Sequence, residues 1–149
     1  MEVKIKRIKA NAIIPKYNSE EAAGMDLYAC IDGPVTLKPL ERQLISTGIA
    51  IELPKGYEAQ IRPRSGLACK FGVTIINSPG TIDSDYRGEI KVGLENLSYE
   101  DYTIQPLDRV AQMVIAPIVQ AKLVEVQELS DTARGEGGFG HSGFGKDVK

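Results

Sequence analysis

The sequence is short of the residues that most often carry catalysis. Its 149 residues include one histidine, His141, and two cysteines, Cys30 and Cys69. That is too few for a His/Cys zinc site, and it leaves little for a Ser-His or Cys-His mechanism. Neither cysteine lies in a C-x-x-C, so two reduced, partly buried thiols are expected. No run of about 18 apolar residues occurs, which excludes a spanning helix. Met1 to Lys6 alternates and has no apolar signal-peptide core, so a cytoplasmic protein with no membrane partner is expected. An excess of one charge is missing as well. Eighteen Lys+Arg against 20 Asp+Glu give a net charge of -2. This argues against a general duplex-binding surface, and no nucleic-acid partner is expected, but a local anion pocket remains open. Catalysis would have to come from carboxylates, hydroxyls, basic side chains and a hard metal ion.

What is present is a period of two. Val3 and Ile5 alternate with lysines. Ile49, Ile51 and Leu53 repeat the pattern, as do Tyr57, Ala59 and Ile61. Ile90, Val92 and Leu94 follow, then Ala111, Met113 and Ile115, then Val124, Val126 and Glu128. Each run is short and bounded by Gly, Pro, Asn or Asp, as at Pro54-Lys55-Gly56 and Asn77-Ser78-Pro79-Gly80. Many short strands at this spacing indicate an antiparallel sandwich or barrel rather than βαβ units. One compact domain suits the length, and it can bury about 70% of the surface of the unfolded chain.

Ser65 to Gly72 stands apart. A hydroxyl at its start and a glycine at its end predict a short helix, with Ser65 as the cap. Arg62-Pro63-Arg64-Ser65-Gly66 sets two guanidiniums and a hydroxyl at the entry to that helix. Those groups and free backbone N–H groups suit an oligophosphate, and a capped helix with solvated arginines explains them equally well. Arg109 and Gln112 either add donors or face solvent. Asp26, among apolar neighbours, is of a type that more often accepts a structural hydrogen bond than catalyses.

Two other motifs mislead when taken alone. Asp83-Ser84-Asp85-Tyr86-Arg87-Gly88 begins like a calcium loop, yet its fifth position is Arg87 and its twelfth Leu94. A polar hairpin turn explains it better. Gly135-Glu136-Gly137-Gly138-Phe139-Gly140 matches the dinucleotide fingerprint, but there is no room after it for a βαβ unit. Residues 135–145 hold six of the 15 glycines and two of the three phenylalanines. So much glycine favours a mobile arm, and the aromatic rings imply that it closes over something flat.

In order along the chain, Ala23 to Ala29, Arg62 to Ala68, Gly80 to Ile90, Arg109 to Val114 and Arg134 to Gly143 resemble the five motifs of the trimeric deoxyuridine triphosphatase (dUTPase) family. Gly80-Thr81-Ile82-Asp83-Ser84-Asp85-Tyr86-Arg87-Gly88-Glu89 is the most specific of them. The resemblance implies an all-β, jelly-roll-like distorted barrel with one short helix, a barrel domain over 1–133 and a glycine-rich arm over 134–149. It implies a homotrimer with three shared sites, and hydrolysis of dUTP to dUMP and pyrophosphate. One departure is plain. Where the family has two small hydroxyl residues after Gly140, this chain has His141 and then Ser142. The second hydroxyl is retained, and an imidazole is able to donate a hydrogen bond at the first position.

By the same resemblance, Asp83 activates the water that attacks the α-phosphorus, a base that suits a chain with so little histidine. Asp26 contacts waters on a Mg²⁺ ion held chiefly by the triphosphate. Arg64, Ser65, Gly66 and Gln112 bind phosphates, and Arg134 clamps the terminal one, joined by Gly140 and Ser142. Asn77 lies near the uracil edge, Tyr86 packs under the deoxyribose and excludes a 2′-hydroxyl, and Phe139 stacks on the base. One subunit would give Asp26, Ser65 and Gln112, a second Asp83 and Tyr86, and a third the arm. The alternatives are a relative of deoxycytidine triphosphate deaminase, which shares the fold, and a catalytically silent nucleotide-binding module.

Overall fold

A computed structural model describes residues 1–139. The chain divides into two units, Met1–Val119 and Gln120–Lys149. The first carries eleven strands and one helix in the order β1 (Lys4–Arg7), β2 (Met25–Tyr28), β3 (Val35–Leu37), β4 (Arg42–Ser46), β5 (Ile49–Glu52), β6 (Tyr57–Arg62), α1 (Ser65–Phe71), β7 (Val73–Ile75), β8 (Gly80–Ile82), β9 (Lys91–Asn96), β10 (Tyr102–Ile104) and β11 (Arg109–Pro117). The fold is all-β, as expected. Its strands form four antiparallel sheets rather than one continuously bonded barrel: β2-β11-β6-β8, β4-β9-β7, β1-β5 and β10-β3.

Alternation explains the longer strands. In β6, Ala59 and Ile61 point into the core, while Glu58, Gln60 and Arg62 are more accessible. In β9 the inward residues are Val92, Leu94 and Asn96. Asn96 is a fully buried amide whose polar capacity is met. It donates to the carbonyls of Leu37 (2.9 Å) and Glu100 (2.7 Å), and accepts from the backbone N–H (2.9 Å) and hydroxyl (2.8 Å) of Ser98. The asparagine therefore ties β9 to β3 and to the loop before β10. Strand β5 departs from alternation, since Ile49, Ala50 and Ile51 are all buried. Strand β1 covers one of its edges, pairing Ile5 with Ile51.

Strand β11 breaks the period in a useful way. Val110 and Ala111 are adjacent and both buried, and the pairing with β2 shifts register between Arg109 and Ala111. Residues three apart on a regular strand face opposite sides. The bulge cancels that offset, so Arg109 sits opposite Tyr28 and Gln112 opposite Asp26, two residues apart on β2.

Helix α1 ends as its glycine suggests, with Gly72 in the left-handed region (φ 67°). Its start differs from the expectation. Arg64, not Ser65, is the N-cap, and no side chain caps the helix. Ser65 is the first helical residue, and it and Gly66 are exposed.

The alternation at Val124, Val126 and Glu128 does not make a strand. A strand needs a neighbour for its N–H and C=O groups, and none of the described residues pairs with this stretch. Leu123, Val124 and Leu129 stand largely exposed within the second unit.

Candidate active site

Two clusters of chemically active residues form in the first unit. The first surrounds a cleft of about 540 Å³. Leu44 of β4, Ile75 of β7 and Val92 of β9 give it an apolar wall, and Asn77, Asp83 and Tyr86 give it a polar rim. Two glycines line it in close contact with their neighbours. A Cβ on Gly80 would lie 3.2 Å from the Asn77 amide nitrogen, and one on Gly93 would lie 3.2 Å from Ile76. Part of the slot is thus bare backbone, suited to a flat ring with edge donors and acceptors.

Asp83 follows the last residue of β8, where Ile82 pairs with Ala59 of β6. Its carbonyl accepts the Tyr86 N–H at 3.1 Å, closing a turn. The Arg87 guanidinium donates to the carbonyls of Ser84 (2.7 Å) and Tyr86 (3.0 Å), fastening the same turn from outside. The Asp83 side chain is left exposed at the hairpin end. Glu89, at the base of the hairpin, accepts hydrogen bonds from the Ser46 hydroxyl and from the Gly48 N–H (2.9 Å). Partial burial works to raise its pKa. The bonds from Ser46 and Gly48, with the Lys91 and Lys9 charges, outweigh burial and hold the carboxyl below its ordinary value.

The second cluster is built on Asp26. Arg64 Nε donates to its Oδ1 at 2.9 Å, while Arg109 Nη1 (3.3 Å) and Asn18 Nδ2 (3.1 Å) donate to its Oδ2. Arg64 Nη1 also donates to the Arg109 carbonyl at 3.0 Å, so one guanidinium joins the helix entry to β11 and β2. The Asp26 side chain is only 14% exposed, which makes these pairs firmer than open surface ion pairs. Gln112 Nε2 donates to the Pro63 carbonyl at 2.9 Å. It thereby braces the turn that presents Arg64, Ser65 and Gly66. The first bond of the helix runs from the Ala68 N–H to the Arg64 carbonyl (3.0 Å), so the N–H groups of Ser65 and Gly66 precede the helical ladder.

Within one chain these clusters do not meet. Asp26 lies on β2 and Asp83 beyond β8, the opposite edges of the four-stranded sheet. Three strand spacings separate those edges, about 14 Å. In the second unit, Arg134 Nε donates to the Gly137 carbonyl (2.7 Å) and the Gly137 N–H returns to the Arg134 carbonyl (3.1 Å). The Phe139 ring is fully exposed. Gly140, His141 and Ser142 lie outside the described residues.

Sequence reasoning passes over two members of these clusters and leaves a third undecided. Asn18 sits in an irregular loop and carries no motif signal. Glu89 closes the hairpin motif, but its bond to Ser46, 43 residues away, is not visible in the sequence. Arg109 is ambiguous in the sequence because the bulge decides which way it faces.

Chemically, the two regions define a nucleotide-processing β protein, with a narrow slot for a base and sugar and a guanidinium-rich edge for an oligophosphate. Comparison with known proteins makes this specific. The dUTPase family model matches residues 10–143. The deoxyuridine 5'-triphosphate nucleotidohydrolase of Nautilia profundicola is 59% identical over 143 residues, covering 96% of this chain and 99% of that protein. The protein of the same name from Syntrophotalea carbinolica is 56% identical over 142 residues, covering 95% and 97%. Among solved structures, Staphylococcus bacteriophage 80alpha dUTPase with dUpNHpp aligns with a TM-score of 0.88 at 29% identity, covering 96% and 99%. A point mutant of the dUTPase from phage phi11 of S. aureus, described with a structural Mg(II) ion, aligns with a TM-score of 0.79 at 26% identity, covering 88% and 100%. The chain belongs to the dUTPase family.

Proposed function

We propose that this protein hydrolyses dUTP to dUMP and pyrophosphate, keeping uracil out of DNA and supplying dUMP for thymidylate synthesis. Support comes from residues scattered over the sequence that gather into two complementary regions. Asn77, Asp83 and Tyr86 border one cleft, while Asp26, Arg64, Arg109 and Gln112 gather around β2, β11 and the turn after β6. The cleft takes the uracil and deoxyribose, and the Arg64–Ser65–Gly66 turn with Gln112 takes the phosphates.

Asp83 takes a proton from the water that attacks the α-phosphorus. Tyr86 blocks a 2′-hydroxyl by bulk, and Asn77 sits beside the uracil edge. Donors on the pyrophosphate side stabilise the charge that develops as it leaves. The segment from Arg134 onward acts as an arm, with Arg134, Gly140 and Ser142 at the terminal phosphate and Phe139 on the base. Such stacking is worth about 1–3 kcal/mol per base.

Separation of the two clusters favours a homotrimer in which one chain's cleft faces another chain's phosphate edge, with a third chain lending its arm. The barrel of residues 1–133 then forms the body, and residues 134–149 the arm. We place the protein in the cytoplasm; no described helix is long and apolar enough to cross a membrane.

The residues present fit Mg²⁺ in one particular way. Among the described residues, no three His, Cys, Asp or Glu side chains gather into a metal cage. Asp26 Oδ1 accepts one protein hydrogen bond, which leaves a lone pair for a metal-bound water. That donor set suits an ion held mainly by phosphates. When bound, Mg²⁺ would neutralise triphosphate charge, with Asp26 orienting its water.

The deciding assay measures pyrophosphate release from dUTP, UTP, dCTP and dTTP, with and without Mg²⁺. Release confined to dUTP and increased by Mg²⁺ is expected. Ammonia from dCTP without pyrophosphate from dUTP would overturn the assignment in favour of a deaminase.

A further inference from the structure

We propose that Gly88 is a positioning residue for sugar discrimination: because it has no side chain, the Tyr86 ring can seat across it and stand as a wall beside the cleft. This rests on the reading of Tyr86 as the group that excludes a 2′-hydroxyl.

The Tyr86 hydroxyl donates to the Glu89 carbonyl at 3.0 Å, so the ring folds back along its own chain and spans Gly88. A Cβ on Gly88 would overlap the Tyr86 hydroxyl and Cζ, and would lie 2.8 Å from Cε2. Backbone conformation does not demand glycine here, for Gly88 lies outside the left-handed region that Gly48, Gly56, Gly72 and Gly135 occupy. What requires the missing side chain is the ring.

Both ends of the seat are fixed. Tyr86 is anchored at its N–H by the Asp83 carbonyl (3.1 Å). The accepting carbonyl belongs to Glu89, whose carboxylate is held by the Ser46 hydroxyl and the Gly48 N–H. The ring is therefore held between the residue that bears the general base and a residue tied to the β4–β5 turn. Tyr86 is 44% exposed, so an added methyl at position 88 can swing it outward without disturbing the core. The expected lesion is a misplaced wall in a folded protein.

The test compares kcat/KM for dUTP and UTP in the full-length protein and in Gly88→Ala, Tyr86→Phe, Tyr86→Ala and the double variant Gly88→Ala/Tyr86→Ala, with a melting curve for each. Gly88→Ala should melt close to the parent and lose about tenfold of its preference for dUTP, the scale of discrimination by small steric differences in a pocket. Tyr86→Phe, which keeps the seat but loses the hydroxyl, should show a smaller fall. The double variant should be no less selective than Tyr86→Ala alone, because Gly88 acts through the ring. If Tyr86→Ala relaxes the preference while Gly88→Ala leaves it intact, the proposed seat is overturned and the role of Tyr86 stands. If Tyr86→Ala itself leaves the preference unchanged, the reading of Tyr86 fails and the inference fails with it. Should Gly88→Ala not fold, the double variant decides: Gly88→Ala/Tyr86→Ala should fold once the ring is gone, and its failure to fold would show that something other than the ring requires glycine at position 88, overturning the seat.

Discussion

A proton acceptor for water must stand where water can reach it and must stay in place while the water turns toward phosphorus. Asp83 has both properties, being exposed at the end of β8 while its carbonyl closes the turn with Tyr86. Asp83→Asn keeps the size and the turn but cannot take a proton. Turnover should fall at least about 100-fold with dUTP affinity largely kept, as read by single-turnover kinetics beside calorimetric titration with a non-hydrolysable analogue. Glu89 makes a different prediction. Its carboxyl is more acidic folded than unfolded, so its contribution to stability is present above its ordinary pKa of 4.5 and is lost as pH falls through the lower folded value. Glu89→Gln should therefore flatten the drop in melting temperature below about pH 4.5 relative to the parent. Parallel melting curves for both proteins down to about pH 3 would remove Glu89 from that role.

At the scale of elements, the helix and the bulge matter most because they aim the donors proposed to bind phosphate. Gly72 ends α1 in the left-handed region, and a Cβ there would come within 3.0 Å of the Ser98 backbone nitrogen. Gly72→Ala should cost at least about 1–2 kcal/mol from backbone strain alone, measured by urea unfolding, with the crowding at Ser98 adding to it. Much of this level was legible in the sequence. Apolar residues at every second position marked β1, β5, β6, β9 and β11, although β5 buries its intervening Ala50 and β11 carries a bulge, and the glycine marked the helix end. The three-residue strands β3, β7, β8 and β10 were not marked, since so short a run shows no period. Leu44 hid β4: it is apolar and exposed, facing the cleft rather than the core, and so spoils the pattern of inward residues. Alternation at Val124 and Val126 promised a strand that the described residues give no partner. Ser65 looked like a cap because its hydroxyl type is right. The extended backbone that defines the cap falls one residue earlier, on Arg64.

At the scale of the whole molecule, the sequence offers the candidate site as a set of residues and not as a place. Motif order named Asp26, Arg64, Gln112, Asn77, Asp83 and Tyr86, but a sequence cannot say which of them share an edge of a sheet. The fold puts Asp26 and Asp83 at opposite edges of one sheet, about 14 Å apart, with Gln112 on inner strand β11 and Arg64, just after β6, bonded to Asp26. In the proposed homotrimer the cleft of one chain would face the Asp26–Arg64 cluster of another. Differently tagged Asp83→Asn and Arg64→Met chains, each nearly inactive alone, can be refolded together and their mixed trimers isolated. In every mixed trimer one site in three pairs an intact hairpin with an intact phosphate edge, so about a third of parental dUTP turnover should be restored. Mixed trimers no more active than either variant alone, or a protein that sediments as an active monomer, would contradict a site shared between chains.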